Sequence, residues 1–209
     1  MKILTIILII AAVLILLYFL MIMPRLGNRK ERKKFLNHYY AHRGLHDNES
    51  DAPENSMAAF QKAVNAGYGI EMDVQVTKDK IPVVFHDFTL ERVCGQSGKV
   101  CDYTFEELQQ FRLCKSEEKI PRFEDVLKLI DGKVPLIIEL KIELTDLTVC
   151  EKADELLRKY SGLYCMESFN PLGVLWYRNH NRKIVRGQLA EAFLRTDEFS
   201  GPFYGMLQN

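Results

Sequence analysis

The first pattern along the chain is a long stretch without charge. Residues 3–23 contain no charged side chain and consist mainly of Ile, Leu, Val, Phe and Met. As a helix, this stretch would extend roughly 32 Å at about 1.5 Å per residue, which matches a bilayer core of about 30 Å. A cleaved signal peptide would have an apolar region of about 7–15 residues and then a small-residue cleavage site, which Met21-Ile22-Met23-Pro24-Arg25 is not. We therefore predict that residues 1–23 form one transmembrane anchor.

From about residue 38 onward, short β-like runs alternate with helical stretches. Such alternation is typical of βαβ units with parallel strands. The predicted strands are residues 38–42, 69–76, 82–85, 135–142, 163–169 and 184–189. The predicted helices are residues 56–66, 104–111, 123–130, 149–160 and 172–179. This pattern predicts an α/β domain over residues 38–209.

Two of the predicted strands carry polar side chains on one face. Because side chains alternate along a strand, Glu71, Asp73 and Gln75 share a face, as do Glu139 and Lys141 in the other strand. In a barrel this face would point into the lumen, where charges are costly unless they are paired or bind a metal. An edge strand with one wet face would show the same alternation, but helix-like sequence flanks both strands. We therefore expect functional roles for Glu71, Asp73 and Glu139.

Three carboxylates and two histidines are the candidate metal-binding and catalytic groups. Oxygen ligands from Glu71, Asp73 and Glu139 would suit Ca²⁺ or Mg²⁺ and leave positions for water and phosphate oxygens. His42 and His86 each end a further predicted strand, at the carboxyl ends where barrel active sites form. Two histidines in equivalent positions beside a carboxylate cluster indicate catalysis rather than a structural role.

Composition limits the size of the fold and the classes of partner. A chain of 209 residues, 47% of them hydrophobic, can form one well-buried domain. The formal net charge is zero, which gives no reason to expect nucleic acid as a partner. Five cysteines without CxxC spacing predict neither a disulfide framework nor a zinc site. The sequence predicts no oligomeric state.

Basic residues cluster directly after the apolar stretch, whereas only Lys2 precedes it. The positive-inside rule then places the C-terminal domain in the cytoplasm, at the cell membrane. Residues 24–37 would form a basic juxtamembrane linker, which could also attract anionic lipid headgroups. The basic residues are Arg25, Arg29, Lys30, Arg32, Lys33 and Lys34.

A set of short motifs resembles the glycerophosphodiester phosphodiesterase family. The matching pieces occur in the family's order between Ala41 and Phe169. They are His42-Arg43-Gly44, Pro53-Glu54-Asn55-Ser56, Glu71-x-Asp73, His86-Asp87, Glu139-x-Lys141 and Ser168-Phe169. The resemblance implies a TIM-type (β/α) barrel, with the divalent-metal ligands on Glu71, Asp73 and Glu139. It further implies a general acid and base pair on His42 and His86, with phosphate contacts from Arg43 and Lys141.

The resemblance also implies an activity. The expected reaction is metal-dependent hydrolysis of a glycerophosphodiester to an alcohol and glycerol 3-phosphate, in phospholipid metabolism. The substrate would be a small-molecule or lipid-derived phosphodiester. Two alternatives remain: a phospholipase D-like hydrolase of lysophospholipids, and a non-catalytic, membrane-tethered barrel fragment. Glu54 is a further candidate at the site, although an acidic residue just before a helix has an equally good structural explanation.

The predicted domain is short for its expected fold. A complete (β/α)₈ barrel typically takes about 250 residues, and only about six strands can be counted after residue 38. Residues 190–209 show no convincing pair of closing strands. We therefore expect an incomplete barrel, either a truncated product or a shorter open form.

Overall fold

The structure of the chain is a computed structural model that describes residues 2–23, 27 and 29–190. The expectation about closing strands at residues 190–209 lies almost entirely outside the described residues. The chain divides into two compact units, residues 1–36 and residues 37–209.

The first unit contains two helices, α1 (Lys2–Ile22) and α2 (Arg29–Lys33). The window Ile3–Leu20 has a mean hydropathy of 3.2, and none of it is buried. A helix of this length and composition could cross a membrane, and a signal sequence can share both properties. The predicted apolar helix is therefore confirmed as a helix.

The second unit is built on a six-stranded sheet. Five strands run parallel in the order β1-β2-β4-β5-β6, and β3 pairs with β2 beside that path. Among the described residues, β6 pairs with β5 and not with β1, so the sheet does not close. The strands are β1 (Tyr40–His42), β2 (Gly69–Val76), β3 (Pro82–Val84), β4 (Leu136–Leu140), β5 (Tyr164–Ser168) and β6 (Arg186–Gln188).

The third strand corrects one expectation. All predicted strands were expected to be parallel, but β3 runs antiparallel to β2, with Val74 opposite Val84 and Val76 opposite Pro82. A parallel connection needs a crossover of a dozen or more residues, whereas residues 77–81 form only a tight turn. In this turn the Thr77 N–H donates to the Ile81 carbonyl at 3.1 Å. The sheet therefore contains five parallel strands and one hairpin strand.

Four of the five predicted helices are present at nearly their predicted bounds. They are Met57–Asn65, Phe123–Ile130, Thr148–Leu157 and Pro171–His180. The fifth, predicted at residues 104–111, is a single turn, α5, capped by the hydroxyl of Thr104 and the carboxylate of Glu107. A short helix, α4, and a 3₁₀ turn at Val100–Asp102 were not expected. The helices are α3 (Met57–Asn65), α4 (Glu91–Cys94), α5 (Phe105–Leu108), α6 (Phe123–Ile130), α7 (Thr148–Leu157) and α8 (Pro171–His180).

Two apolar cores support this arrangement. The main core joins one face of the sheet to the outer helices, and Ile70, Met72 and Val74 of β2 are fully buried in it. The opposite face of β2 carries Glu71 and Asp73, as the alternation predicted. A second, smaller core lies under the segment between β3 and α6, and its buried members are Val83, Phe85, Leu90, Val93, Val100, Leu108, Leu113 and Ile120.

Candidate active site

Three buried carboxylates converge on the polar face of the sheet. In the parallel register of β2 and β4, Asp73 lies opposite Glu139, and Glu71 lies two residues earlier on the same face of β2. One carboxylate oxygen from each of the three residues lies within 4.8 Å of the others. Glu71, Asp73 and Glu139 are only 8%, 1% and 7% exposed. The expected convergence of these acids is therefore confirmed.

Burial makes this cluster electrostatically unfavourable by itself. Loss of hydration, followed by the nearby Asp73 carboxylate, raises the pKa of Glu71 to about 8. Burial also raises the pKa of Glu139, although the Lys141 ammonium opposes this shift. Burial and mutual repulsion therefore disfavour three ionised carboxylates at this site unless a cation offsets their charge.

Lys141 supplies part of that charge. It follows β4, and its backbone N–H donates to the Val74 carbonyl at 3.0 Å, which extends the strand register by one step. Its Nζ lies 2.7 Å from Glu139 Oε1 and 3.2 Å from Asp73 Oδ1. The second approach is close enough for an ion pair, but no described donor makes a hydrogen bond to Asp73 Oδ1. Lys141 therefore pairs with two carboxylates of the cluster. The family resemblance implied that Lys141 contacts the phosphate of the substrate.

Arg43 enters the site from the end of β1. It has a left-handed backbone conformation, with φ of 56°, and its N–H donates to Glu71 Oε2 at 3.1 Å. Its guanidinium pairs with Glu54 through Nη1 at 2.9 Å, and Nε lies 3.6 Å from Asp73 Oδ2. The Arg43 guanidinium thus lies between a carboxylate of the cluster and a carboxylate behind it.

The two histidines reach the site by different routes. His42 ends β1 opposite Glu71, and its Nε2 lies 3.8 Å from Glu71 Oε2. Burial lowers the pKa of His42, and the neighbouring charges of Arg43 and His86 lower it further. His86 was expected at the carboxyl end of a parallel strand, but it follows the antiparallel β3, so the hairpin returns it toward the middle of β2.

His86 is held by its neighbour in sequence. Its Nδ1 makes a hydrogen bond of 2.5 Å with Asp87 Oδ1. The Phe85 N–H, one residue earlier, donates to the Asp73 carbonyl at 2.9 Å, which holds the segment carrying His86 against the strand that carries two of the acids. The structure therefore brings the two predicted histidines to the same carboxylate cluster.

The chain matches a known protein family over most of its second unit. The model of the Glycerophosphoryl diester phosphodiesterase family matches residues 42–189, which is more than half of the chain. The chain belongs to the glycerophosphoryl diester phosphodiesterase family. The match covers all seven of the predicted site residues, and it confirms the family resemblance of the sequence motifs.

Relatives and solved structures support the same assignment. A glycerophosphodiester phosphodiesterase of Bacillus altitudinis is 40% identical over 111 residues, covering 50% of this chain and 44% of that protein. A mouse protein named Lysophospholipase D GDPD1 is 31% identical over 147 residues, covering 66% of this chain and 46% of that protein. The chain therefore spans about half the length of the curated relatives it matches.

The structural match extends the comparison to the fold. An Oleispira antarctica phosphodiesterase, solved in complex with sn-glycerol-3-phosphate, superposes with a TM-score of 0.69 at 25% identity. The superposition covers 84% of this chain and 72% of that chain. The α/β fold with about six strands is that of the TIM-barrel members of the glycerophosphoryl diester phosphodiesterase family, as predicted.

The structure of the present chain identifies two further residues to which the sequence motifs gave no role. Asn55 donates from Nδ2 to Asp73 Oδ2 at 2.9 Å, and its own N–H donates to the Arg43 carbonyl at 2.9 Å. Gln75 donates from Nε2 to the carbonyls of Phe85, His86 and Asp87 at 2.8, 3.2 and 2.7 Å. Asn55 orients a carboxylate of the cluster, and Gln75 holds the segment that carries His86.

Glu54 and Glu167 occupy two further positions. Glu54 is outside the carboxylate cluster and accepts hydrogen bonds from Arg43, Arg92 and Asn48. Burial opposes its ionisation, but these donors lower the pKa of Glu54 to about 2. Glu167 lies opposite Glu139 in the register of β4 and β5, and burial and the nearby carboxylates raise its pKa. The alternation of polar and apolar residues in β5 could have identified Glu167.

Proposed function

We propose that this protein is a metal-dependent phosphoric diester hydrolase that cleaves glycerophosphodiesters to an alcohol and glycerol 3-phosphate, in phospholipid metabolism. The observation that carries the proposal is the convergence of Glu71, Asp73 and Glu139, with oxygens within 4.8 Å. His42 Nε2 lies 3.8 Å from Glu71 Oε2, and Gln75 of β2 bonds to the His86 carbonyl. The related Oleispira antarctica enzyme was solved with sn-glycerol-3-phosphate as product, which supports this substrate class.

The donor set fits one hard divalent cation, Ca²⁺ or Mg²⁺. All three candidate ligands are carboxylates, the ligand type that both ions prefer, and two of them have raised pKa values. Asp73 Oδ1 is buried and accepts no hydrogen bond from the described residues, although Lys141 Nζ lies 3.2 Å away, so this oxygen retains capacity to bind a cation. A bound divalent cation would polarise the phosphoryl oxygens and stabilise the charge that develops on them.

The cationic side chains would bind the phosphate group. Arg43 and Lys141 have side chains that are only 16% and 10% exposed, so a phosphate beside them would interact with little screening by solvent. The substrate phosphodiester carries one negative charge and gains more as the nucleophile attacks. Arg43 and Lys141 can therefore stabilise the transition state more strongly than the ground state.

The two imidazoles would move the protons. One histidine takes a proton from the nucleophile, and the other donates a proton to the leaving alcohol. In His86 the bond from Nδ1 to Asp87 leaves Nε2 for the substrate, and the His42 side chain is 69% exposed and therefore accessible to it. Each proton transfer of this kind typically contributes about 10²–10⁴ in rate.

A second substrate class, the lysophospholipids, is favoured by one surface feature. A groove of about 310 Å³ lies next to Lys141 and is partly lined by the apolar side chains of Val76, Phe88, Leu144 and Val149. Leu144 is 83% exposed there. Such a groove could hold the apolar part of a single-chain lipid, and a mouse relative carries the name Lysophospholipase D.

One assay of the full chain in detergent tests both proposals. Release of glycerol 3-phosphate from glycerophosphocholine and glycerophosphoethanolamine, and of choline from lysophosphatidylcholine, is measured with Ca²⁺ or Mg²⁺ and with a chelator. We expect cation-dependent turnover of the glycerophosphodiesters. Turnover of lysophosphatidylcholine alone would replace the first substrate class by the second. No turnover of any of them would leave the non-catalytic alternative.

We also propose that α1 anchors the protein as a single-pass helix, with residues 24–37 as a basic linker and the catalytic unit in the cytoplasm. The support is the uncharged, fully exposed helix surface and the basic residues that follow it. Protease added to intact cells should leave the catalytic unit undigested. Its digestion from outside would reverse the orientation, and a mature chain lacking the first residues would identify a cleaved signal sequence.

A further inference from the structure

Arg92 joins two carboxylates that lie behind the candidate active site. Its Nε and Nη2 donate to Asp87 Oδ2 and Oδ1 at 2.6 and 2.9 Å. Its Nη1 and Nη2 donate to Glu54 Oε2 and Oε1 at 2.9 and 2.6 Å. One guanidinium therefore makes two bidentate pairs, an arrangement that only the planar fork of an arginine allows.

Each of the two carboxylates supports a different residue of the site. Glu54 Oε1 also accepts from Arg43 Nη1 at 2.9 Å, and Asp87 Oδ1 also makes the bond with His86 Nδ1. A continuous chain of ion pairs and hydrogen bonds thus runs from Arg43 through Glu54, Arg92 and Asp87 to His86. Positive and negative groups alternate from Arg43 to Asp87, so each of these ion pairs is attractive, and the His86 ring is joined to the end of the chain by a hydrogen bond.

The position of Arg92 is determined by the small second core. Arg92 lies on α4 between Leu90 and Val93, which are 0% and 4% exposed. The Val93 carbonyl accepts from the Cys114 N–H at 2.7 Å, which ties α4 to the far end of the same segment. The Arg92 side chain is 48% exposed, but its backbone is therefore held on a packed element.

We propose that Arg92 is a positioning residue that holds the His86 ring and the Arg43 guanidinium in a fixed relation to each other. Without Arg92, the Asp87 carboxylate would keep, among the described residues, only its bond with His86, and it could rotate toward solvent. In the same part of the chain, the Glu54 carboxylate would keep Arg43 and Asn48 as donors. This inference rests on the proposed function only for its effect on turnover, because its effect on His86 exists without substrate.

The test compares Arg92→Gln with Arg112→Gln in the full chain in detergent micelles. Arg112 is a matched control because it lies in the same segment and has a side chain 46% exposed, but it pairs with the exposed Glu117. We expect kcat for glycerophosphocholine to fall about 10- to 100-fold in Arg92→Gln, the range typical of groups that orient a functional side chain, and to be unchanged in Arg112→Gln.

The second readout is the ring tautomer of His86, from two-bond ¹H–¹⁵N spectra of histidine-labelled protein, with His86→Ala to assign the signal. Asp87 should hold the neutral ring as the Nδ1–H tautomer in the wild type and in Arg112→Gln. In Arg92→Gln both tautomers should appear. A merely structural role of Arg92 would lower the melting temperature without changing this signal.

The outcomes separate the two proposals. An unchanged His86 tautomer in folded Arg92→Gln would overturn the positioning role, whatever the activity. A wild-type protein that turns over no phosphodiester would overturn the proposed function, while the tautomer would still decide the role of Arg92. If Arg92→Gln does not fold, Arg92→Lys is measured in the same way, because lysine keeps the charge but cannot make two bidentate pairs.

Discussion

Asp73 and Glu139 lie opposite each other in the parallel register of β2 and β4. Paired residues of neighbouring strands present their side chains on the same face of a sheet, so this register brings together two acids from distant parts of the chain. Glu71 joins them because it is two residues from Asp73 on the same strand. The candidate metal site is therefore a direct consequence of strand pairing.

Removing one carboxylate should weaken binding of the cation. We expect Glu71→Gln and Asp73→Asn each to reduce Ca²⁺ or Mg²⁺ affinity by more than about tenfold, since even residues that only orient a ligand contribute about 10- to 100-fold. Calorimetric titration of the full chain measures this. Glu143→Gln is the control, because Glu143 is an exposed acid paired with Lys99, and it should bind as the wild type does. Equal affinities in all variants would refute the ligand set.

The histidines should be needed for turnover and not for folding. His42→Ala and His86→Ala should each lower kcat by about 10²–10⁴, the contribution of one general acid or base. Their side chains are 69% and 30% exposed, so the melting temperature should change little. His180→Ala is the control, since His180 is exposed on α8 and bonded to the Trp176 carbonyl. A variant that retains full turnover would remove that histidine from the mechanism.

Stability of the metal-free protein should fall as the pH rises. The pKa of Glu71 is about 8 in the folded protein and 4.5 in its ordinary state, so the folded form binds more protons between these values. The contribution of Glu71 to stability is then fully present below about pH 4.5 and is lost as the pH rises from there through about 8. Thermal unfolding in chelator between pH 5 and 9 measures this. Glu71→Gln should flatten the dependence, and a steeper fall in that variant would contradict the explanation.

Gln75 should support both stability and activity. Gln75→Leu removes the donor that three carbonyl groups share, which should cost about 1–3 kcal/mol and release the segment carrying His86. We therefore expect a lower melting temperature together with a lower kcat. The control is Gln61→Leu, because Gln61 is exposed on α3 and bonded only to Asn65 among the described residues. A loss of stability with unchanged kcat would show that Gln75 does not position His86.

The polar sites could be predicted because strand alternation is a local property. Glu71, Asp73 and Glu139 were identified because they alternate with apolar residues along their strands, and the register confirmed that they share a face. Glu167 follows the same rule but is one acid in a strand without a second charge on that face. Alternation could therefore place Glu167 on the polar face, and the pairing of β4 with β5 placed it opposite Glu139.

The direction of β3 shows where local reasoning failed. The strand itself was predicted, but its pairing depends on the five residues before it, which are too few for a parallel crossover. That loop length was available in the sequence and would have indicated the hairpin. The hairpin changes how His86 reaches the site, although it does not change which cluster His86 approaches.

The apolar helix, the α/β alternation and the polar face with its acids follow from the order of residues along the chain. These features depend on the periodicity of neighbouring residues and on motif order, which are properties of short segments. Contacts between distant segments were needed to show that Asn55 orients Asp73, that Gln75 holds the carbonyls around His86, and that Arg92 links Glu54 to Asp87. Hydrogen-bond and ion-pair partners depend on distances across the fold, and no local pattern encodes them.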